Sequence, residues 1–139
     1  FKPILQSYDF VYEDGVEAIG NEVYVDPLLF LTETENIFNQ EERKYSIDFT
    51  YPWTYKTIVS ITVPDGYKVK SVPEGIRMAM SDEFGDYIFL VKQMGKTVQV
   101  SQTLKFNFPI IPAAYYPELK EVYKKLVQKN SEKIVLEKI

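Results

Sequence analysis

The sequence contains no cysteine and no histidine. Without cysteine there is no disulfide framework, no thiolate nucleophile and no zinc–thiolate site. Without histidine the commonest general base near neutral pH is missing, along with the usual imidazole metal ligand. Ser-His-Asp and Cys-His triads are therefore excluded for this chain on its own, while carboxylate pairs, Ser-Lys dyads and oxygen-ligand metal sites stay open. The six glycines are scattered, so no glycine-rich phosphate loop is present. No apolar run approaches the roughly 20 residues that a membrane-spanning helix needs, and no signal-peptide pattern opens the chain. It starts at Phe1 rather than Met, as expected of a processed product or a piece of a longer protein. The missing cysteine is compatible with cytoplasm, periplasm and cell surface alike.

What is present is ordinary for a globular domain. The chain has 139 residues, 45% hydrophobic and 26% charged, a length suited to one domain that buries roughly two-thirds of its unfolded surface. Net charge is −4, which argues against nucleic acid as a partner. The charge is unevenly spread. Residues 1–42 hold ten acidic side chains and one basic, Lys2; residues 43–139 hold ten acidic and fifteen basic. The simplest expectation is that the acidic front lies across the basic remainder; a cation or partner site on the front is the alternative.

Most of the chain reads as strands. From Lys96, Val98, Val100, Leu104, Phe106 and Phe108 alternate with polar residues, and only Gln102 interrupts the apolar face; a period of two marks a half-buried strand. The run Asp86–Lys92 precedes it, and Gln93-Met94-Gly95 between them predicts a hairpin. Tyr45, Ile47, Phe49 and Tyr51 alternate upstream, then Tyr55–Val63 forms a second run, turned at Pro64-Asp65-Gly66. Tyr67 and Val69, then Ile76, Met78 and Met80, predict two further strands separated by the turn Val72-Pro73-Glu74-Gly75.

Leu5–Tyr12 and Glu22–Val25 are expected as strands, Leu28–Leu31 as strand or buried turn, and Thr32–Arg43 as a surface loop anchored by Ile37 and Phe38. Near the C-terminus the period changes. Leu119, Val122, Tyr123, Leu126 and Val127 form one helical stripe, Pro117 suits the first helical position, and Glu118 and Glu121 precede Lys124, Lys125 and Lys129 as the helix dipole favours. Glu121 and Lys125 are spaced as an ion pair, and Asn130 is the expected stop. Such a helix is marginal alone, so its stripe must rest on a sheet. Ile134–Leu136 predicts a short final strand. These elements predict a mainly β chain: one antiparallel β-sandwich over residues 1–139, immunoglobulin-like or related, with one C-terminal amphipathic helix and a short last strand.

Chemistry-bearing candidates are few. Tyr51, Trp53 and Tyr55 form the densest aromatic cluster and hold the only tryptophan. It reads either as a platform that stacks on sugar faces or, as composition favours, as a strand corner whose rings cap the core. Asp82, Glu83 and Asp86 surround a turn and offer oxygen ligands for calcium, without the spacing of an EF-hand loop; a solvated hairpin tip accounts for them. Glu33, Glu35, Glu41 and Glu42 supply carboxylates in number, but no pattern buries one and exposes another, as an acid/base pair requires. Lys44 and Ser46 fall on the polar face of their run, where a Ser-Lys dyad lacks a desolvated lysine. No catalytic residue, cofactor or metal is expected. The aromatic trio is the candidate interaction surface.

The stretches Glu42–Phe49 with Tyr51-Pro52, Ile61–Val69 and Tyr116–Tyr123 continuing through Glu132–Leu136 carry a resemblance. In order and wording they resemble the C-terminal domain of unknown function of bacterial transglutaminase-like proteins, over residues 22–139. Such proteins join an N-terminal β domain, a papain-like core and this closing domain. The resemblance implies a non-catalytic β-sandwich accessory domain whose partner is the catalytic core of the same polypeptide, in the periplasm or cell envelope. The Cys-His-Asp machinery of that family belongs to the core, and no residue here matches it. The alternative is an independent glycan- or envelope-binding module.

Overall fold

The structure is a computed structural model that describes residues 2–139. In chain order the strands are β1 (Val16–Ile19), β2 (Glu22–Val25), β3 (Ile47–Asp48), β4 (Trp53–Thr62), β5 (Tyr67–Ser71), β6 (Ile76–Ala79), β7 (Gly85–Met94), β8 (Thr97–Phe106) and β9 (Ile110–Ile111). Helix α1 (Tyr116–Ser131) and strand β10 (Ile134–Lys138) follow. The long sheet has the order β4-β8-β7-β6, a second sheet has the order β1-β2-β10-β5, and β3 pairs with β9 alone. All pairings are antiparallel, in the expected sandwich-like arrangement with a C-terminal helix and a final strand.

The long sheet is organised by β8. Val98, Val100, Gln102, Leu104 and Phe106 are all buried, and the register sets them beside Val59, Thr57, Tyr55 and Trp53 of β4 and beside Phe89 and Tyr87 of β7. This inner face is the core. The β7–β8 hairpin turns through Gly95-Lys96, where Gly95 takes a φ of +59°, a left-handed conformation that glycine adopts without steric cost. At the other end of the hairpin a Cβ on Gly85 would stand 2.5 Å from the Lys105 carbonyl oxygen. Only glycine lets the two backbones approach there.

Helix α1 crosses β7 and buries Tyr116, Leu119, Val122 and Leu126 against the sheet. Val25, Ile134 and Leu136 from the second sheet join the same core. The charge segregation is used structurally: Glu22 pairs with Lys70 and Asp26 with Lys133, each tying the acidic front to the basic remainder. Lys70 first, and the Tyr24 hydroxyl second, hold the Glu22 carboxyl below its ordinary value.

Several sequence expectations change. Leu5–Tyr12 forms no strand and pairs with nothing among the described residues; its alternation holds only for Tyr8, Phe10 and Tyr12, and only Phe10 and Tyr12 find a partner, the ring of Phe30. The Tyr45–Tyr51 run shrinks to two paired residues because β9 offers only two, and Thr50 turns the chain at φ +71°. Leu28–Leu31 is a turn rather than a strand, with Leu28 sealed but the single 3₁₀ turn over Leu29–Leu31 only partly covered and Phe30 51% exposed. Asn130 does not stop the helix, which runs on to Ser131 with Asn130 fully buried. Glu121 meets Lys124 at 3.5 Å rather than Lys125, whose ammonium donates to Gln128.

Candidate functional site

The helix leaves one end of the inner face uncovered. Tyr55 and Leu104 are register partners, yet Tyr55 is 51% exposed and Leu104 only 5%. Between that open end of β4 and the helix lies a cleft of about 570 Å³. Its β-sheet wall is Trp53, Thr54, Tyr55, Gln102 and Leu104; its helix wall is Tyr123 and Leu126; Phe49 and Tyr51 close one end, and Glu33, Glu35 and Ile37 form the rim.

The rim is positioned by a loop stitched to α1. The Glu33 backbone N–H donates to Asn130 Oδ1 at 2.9 Å, and Asn36 Nδ2 donates to the Lys120 carbonyl at 3.1 Å. Both the Tyr116 hydroxyl and the Lys120 ammonium donate to the Gln40 carbonyl, at 2.7 and 2.9 Å. Phe38 is buried edge-on to Tyr116 and Tyr123, at 6.2 and 4.8 Å between ring centroids. Arg43 lies 5.9 Å from the Phe38 ring and 5.7 Å from the Tyr116 ring, within reach of a cation–π attraction. Of the two expected anchors only Phe38 holds. Ile37 is 65% exposed and lines the cleft instead.

The floor is polar at one point. Gln102 is 3% exposed; its Oε1 accepts from the Tyr87 hydroxyl at 3.0 Å and from Asn130 Nδ2 at 2.6 Å. The orientation of both amides follows from one fixed donor. A backbone N–H can only donate, so Asn130 turns its oxygen to Glu33 and its nitrogen to Gln102, which must then present oxygen. Burial above all, and the Glu33 carboxylate second, push the Tyr123 hydroxyl up to about 12, so it is a neutral donor at physiological pH. The lining thus carries two carboxylates and no lysine or arginine.

The sequence-named trio Tyr51, Trp53 and Tyr55 all line this cleft. Trp53 also caps the core as a strand corner, its ring 5.7 Å from Phe49 and 5.0 Å from Phe106. Glu33 and Glu35 join the trio, whereas Glu41 and Glu42 lie in a separate surface recess with Arg43, Lys44 and Tyr45. Asp82 accepts from the Tyr115 hydroxyl, which raises that phenol's pKa, and Ser81 donates its backbone N–H to Glu118. Among the described residues no three carboxylates converge as a metal site would require. Ser46 and Lys44 are both exposed. Gln102, Asn130 and Tyr87 are absent from the sequence candidates. The one signal for them was a glutamine interrupting an otherwise apolar strand face.

This is a class of small antiparallel β domain with a helix laid over one sheet. The chain belongs to the family described as "Domain of Unknown Function with solved-structure structure" (DUF3858), whose model matches residues 21–136. No curated protein matches the chain's sequence. Among solved structures it is similar to one titled as a putative protease from Parabacteroides distasonis, with a TM-score of 0.56 and 14% identity. The match covers 70% of this chain and 19% of that one, so the chain spans about a fifth of its structural relative. At that identity the likeness is one of fold.

Proposed function

We propose that this chain is a non-catalytic accessory domain of a transglutaminase-like or protease-like protein in the periplasm or cell envelope, packing against the catalytic core and shaping access to it. One observation carries the reading. Ile4, Leu5 and Val11 are 91%, 92% and 89% exposed, and Tyr8 and Phe10 accompany them in the same irregular stretch. Large apolar side chains left in water together along one short stretch point to a surface that another body covers. The structural relative of greater length, titled as a putative protease, and the resemblance of residues 22–139 to a closing domain give the same direction.

The test is direct mixing of this chain with a separately produced catalytic core, followed by sedimentation or calorimetry. Association in the micromolar range, weakened when Leu5, Phe10 and Val11 are replaced by serine, is the expected result. No association at high micromolar concentration, or association indifferent to those serines, would overturn it.

A further inference from the structure

We infer that the cleft beside Trp53 is a binding site for a basic peptide segment with apolar neighbours, a proposal independent of how the front segment docks. Three features of the site select that chemistry. The first is an unused donor. Gln102 Oε1 receives both the Tyr87 and the Asn130 hydrogen bonds, and its Nε2 donates to no acceptor among the described residues. Among the described residues no side-chain polar atom sealed from solvent lacks a partner, so this amide nitrogen reaches solvent, and Gln102 meets solvent at the cleft floor. A donor held in place inside an apolar recess fits an acceptor such as a peptide carbonyl.

The second feature is charge. Glu33 and Glu35 stand at the rim without an ion-pair partner among the described residues. The lining has no cation to balance them. A lysine or arginine side chain entering over the Tyr51 and Tyr55 rings gains both carboxylates and the ring faces. The third is the apolar floor of Leu104 and Leu126, which suits an aliphatic side chain next to the basic one. A neutral sugar would use the rings and the amide but leave both carboxylates uncompensated, so the peptide is the better match.

Trp53 is the only tryptophan in the chain and lines the site, so its emission reports occupancy. The probes are a capped hexapeptide alternating lysine and leucine, the same peptide with glutamate for lysine, and a soluble chitooligosaccharide. The lysine peptide is expected to shift Trp53 emission saturably below millimolar concentration. The double variant Glu33→Gln/Glu35→Gln, exposed and safe for folding, should weaken it several-fold to about tenfold; raised salt should act likewise, and Glu17→Gln on distant β1 should change nothing. The proposal is overturned by no saturable response to the lysine peptide, by an equal response to the glutamate peptide, by indifference to the double variant, or by a response confined to the chitooligosaccharide.

Discussion

Leu5–Tyr12 is richer in apolar and aromatic side chains than β8, yet it lies in water while one whole face of β8 is sealed. The difference is pairing. β8 has β4 on one side and β7 on the other, ten register pairs with each, and α1 lies above the neighbouring strand. Each cross-strand pair holds the next side chain over the core, so alternation becomes burial only where partners exist. Leu5–Tyr12 has apolar content without partners, and the second sheet already ends at β1. Hydrophobicity of the front is therefore available to another body, and hydrophobicity of β8 is not.

The largest test of this contrast is Phe106→Ala. The ring is almost fully buried, pairs in register with Trp53 and Gly85, and packs on Phe49. Deleting it should cost about 3–5 kcal/mol of stability, read from urea unfolding followed by Trp53 emission. A cost below about 1 kcal/mol would mean that the inner face is loosely packed and that the two regions differ less than their exposure indicates.

Next in size is Asn130→Ala. Loss of this side chain leaves the Glu33 N–H without its acceptor and removes one of two donors to Gln102. The expected loss is about 1–3 kcal/mol, with faster amide hydrogen exchange at Glu33 than at Gly85 or Phe106. Unchanged exchange at Glu33 would show that Phe38 and the Asn36 and Gln40 hydrogen bonds hold the rim without Asn130 and that the buried amide pair is dispensable.

How far the chain was readable from its residues depends on how local each signal is. β7, β8 and the stripe of α1 carry their period within a dozen residues and are found, although the turn between the strands moves from Gln93-Met94-Gly95 to Gly95-Lys96 and β8 ends at Phe106, leaving Phe108 46% exposed rather than on the buried face. Asn130 misled because asparagine is a common helix terminator; its burial depends on Gln102, 28 residues away. Leu5–Tyr12 misled for the opposite reason, since no local feature reveals the lack of a neighbouring strand. The cleft was legible only in part. Tyr51, Trp53 and Tyr55 are close in sequence and stood out, but Glu33, Gln102 and Tyr123 meet them only after the helix folds back over the sheet.

A smaller effect distinguishes the cleft from the sealed core by pH. Burial first, with the Glu132 carboxylate second, raises the Tyr87 pKa, and burial followed by Glu33 raises Tyr123 to about 12 from an ordinary value of 10.0. The folded chain then holds these protons more tightly than the unfolded chain. Stability contributed by the neutral phenols is complete below the unfolded value and declines as pH rises from about 10 through the folded values. Tyrosinate absorbance should show both among the late-ionising groups, alongside Tyr24 and Tyr115, which hydrogen bonds to Glu22 and Asp82 also raise, and urea midpoints should fall over the same window. In Glu33→Gln, Tyr123 should ionise earlier while Tyr87 stays unchanged; a shift in both would mean that rim and core are not electrically separate.

The smallest expected effect completes the contrast. Phe10→Ser removes a ring that meets Phe30 edge-on, with 5.0 Å between centroids, and is 62% exposed. In the isolated chain it should change stability by no more than about 0.5 kcal/mol. If the front is a docking segment, the same substitution should weaken association with a catalytic core far more than it alters the urea midpoint, because a hot-spot ring matters only once its partner covers it. Equal small effects in both assays would leave Phe10 an incidental exposed ring. A large loss of stability in the isolated chain would instead place Leu5–Tyr12 against the fold, and the difference between the two apolar stretches would disappear.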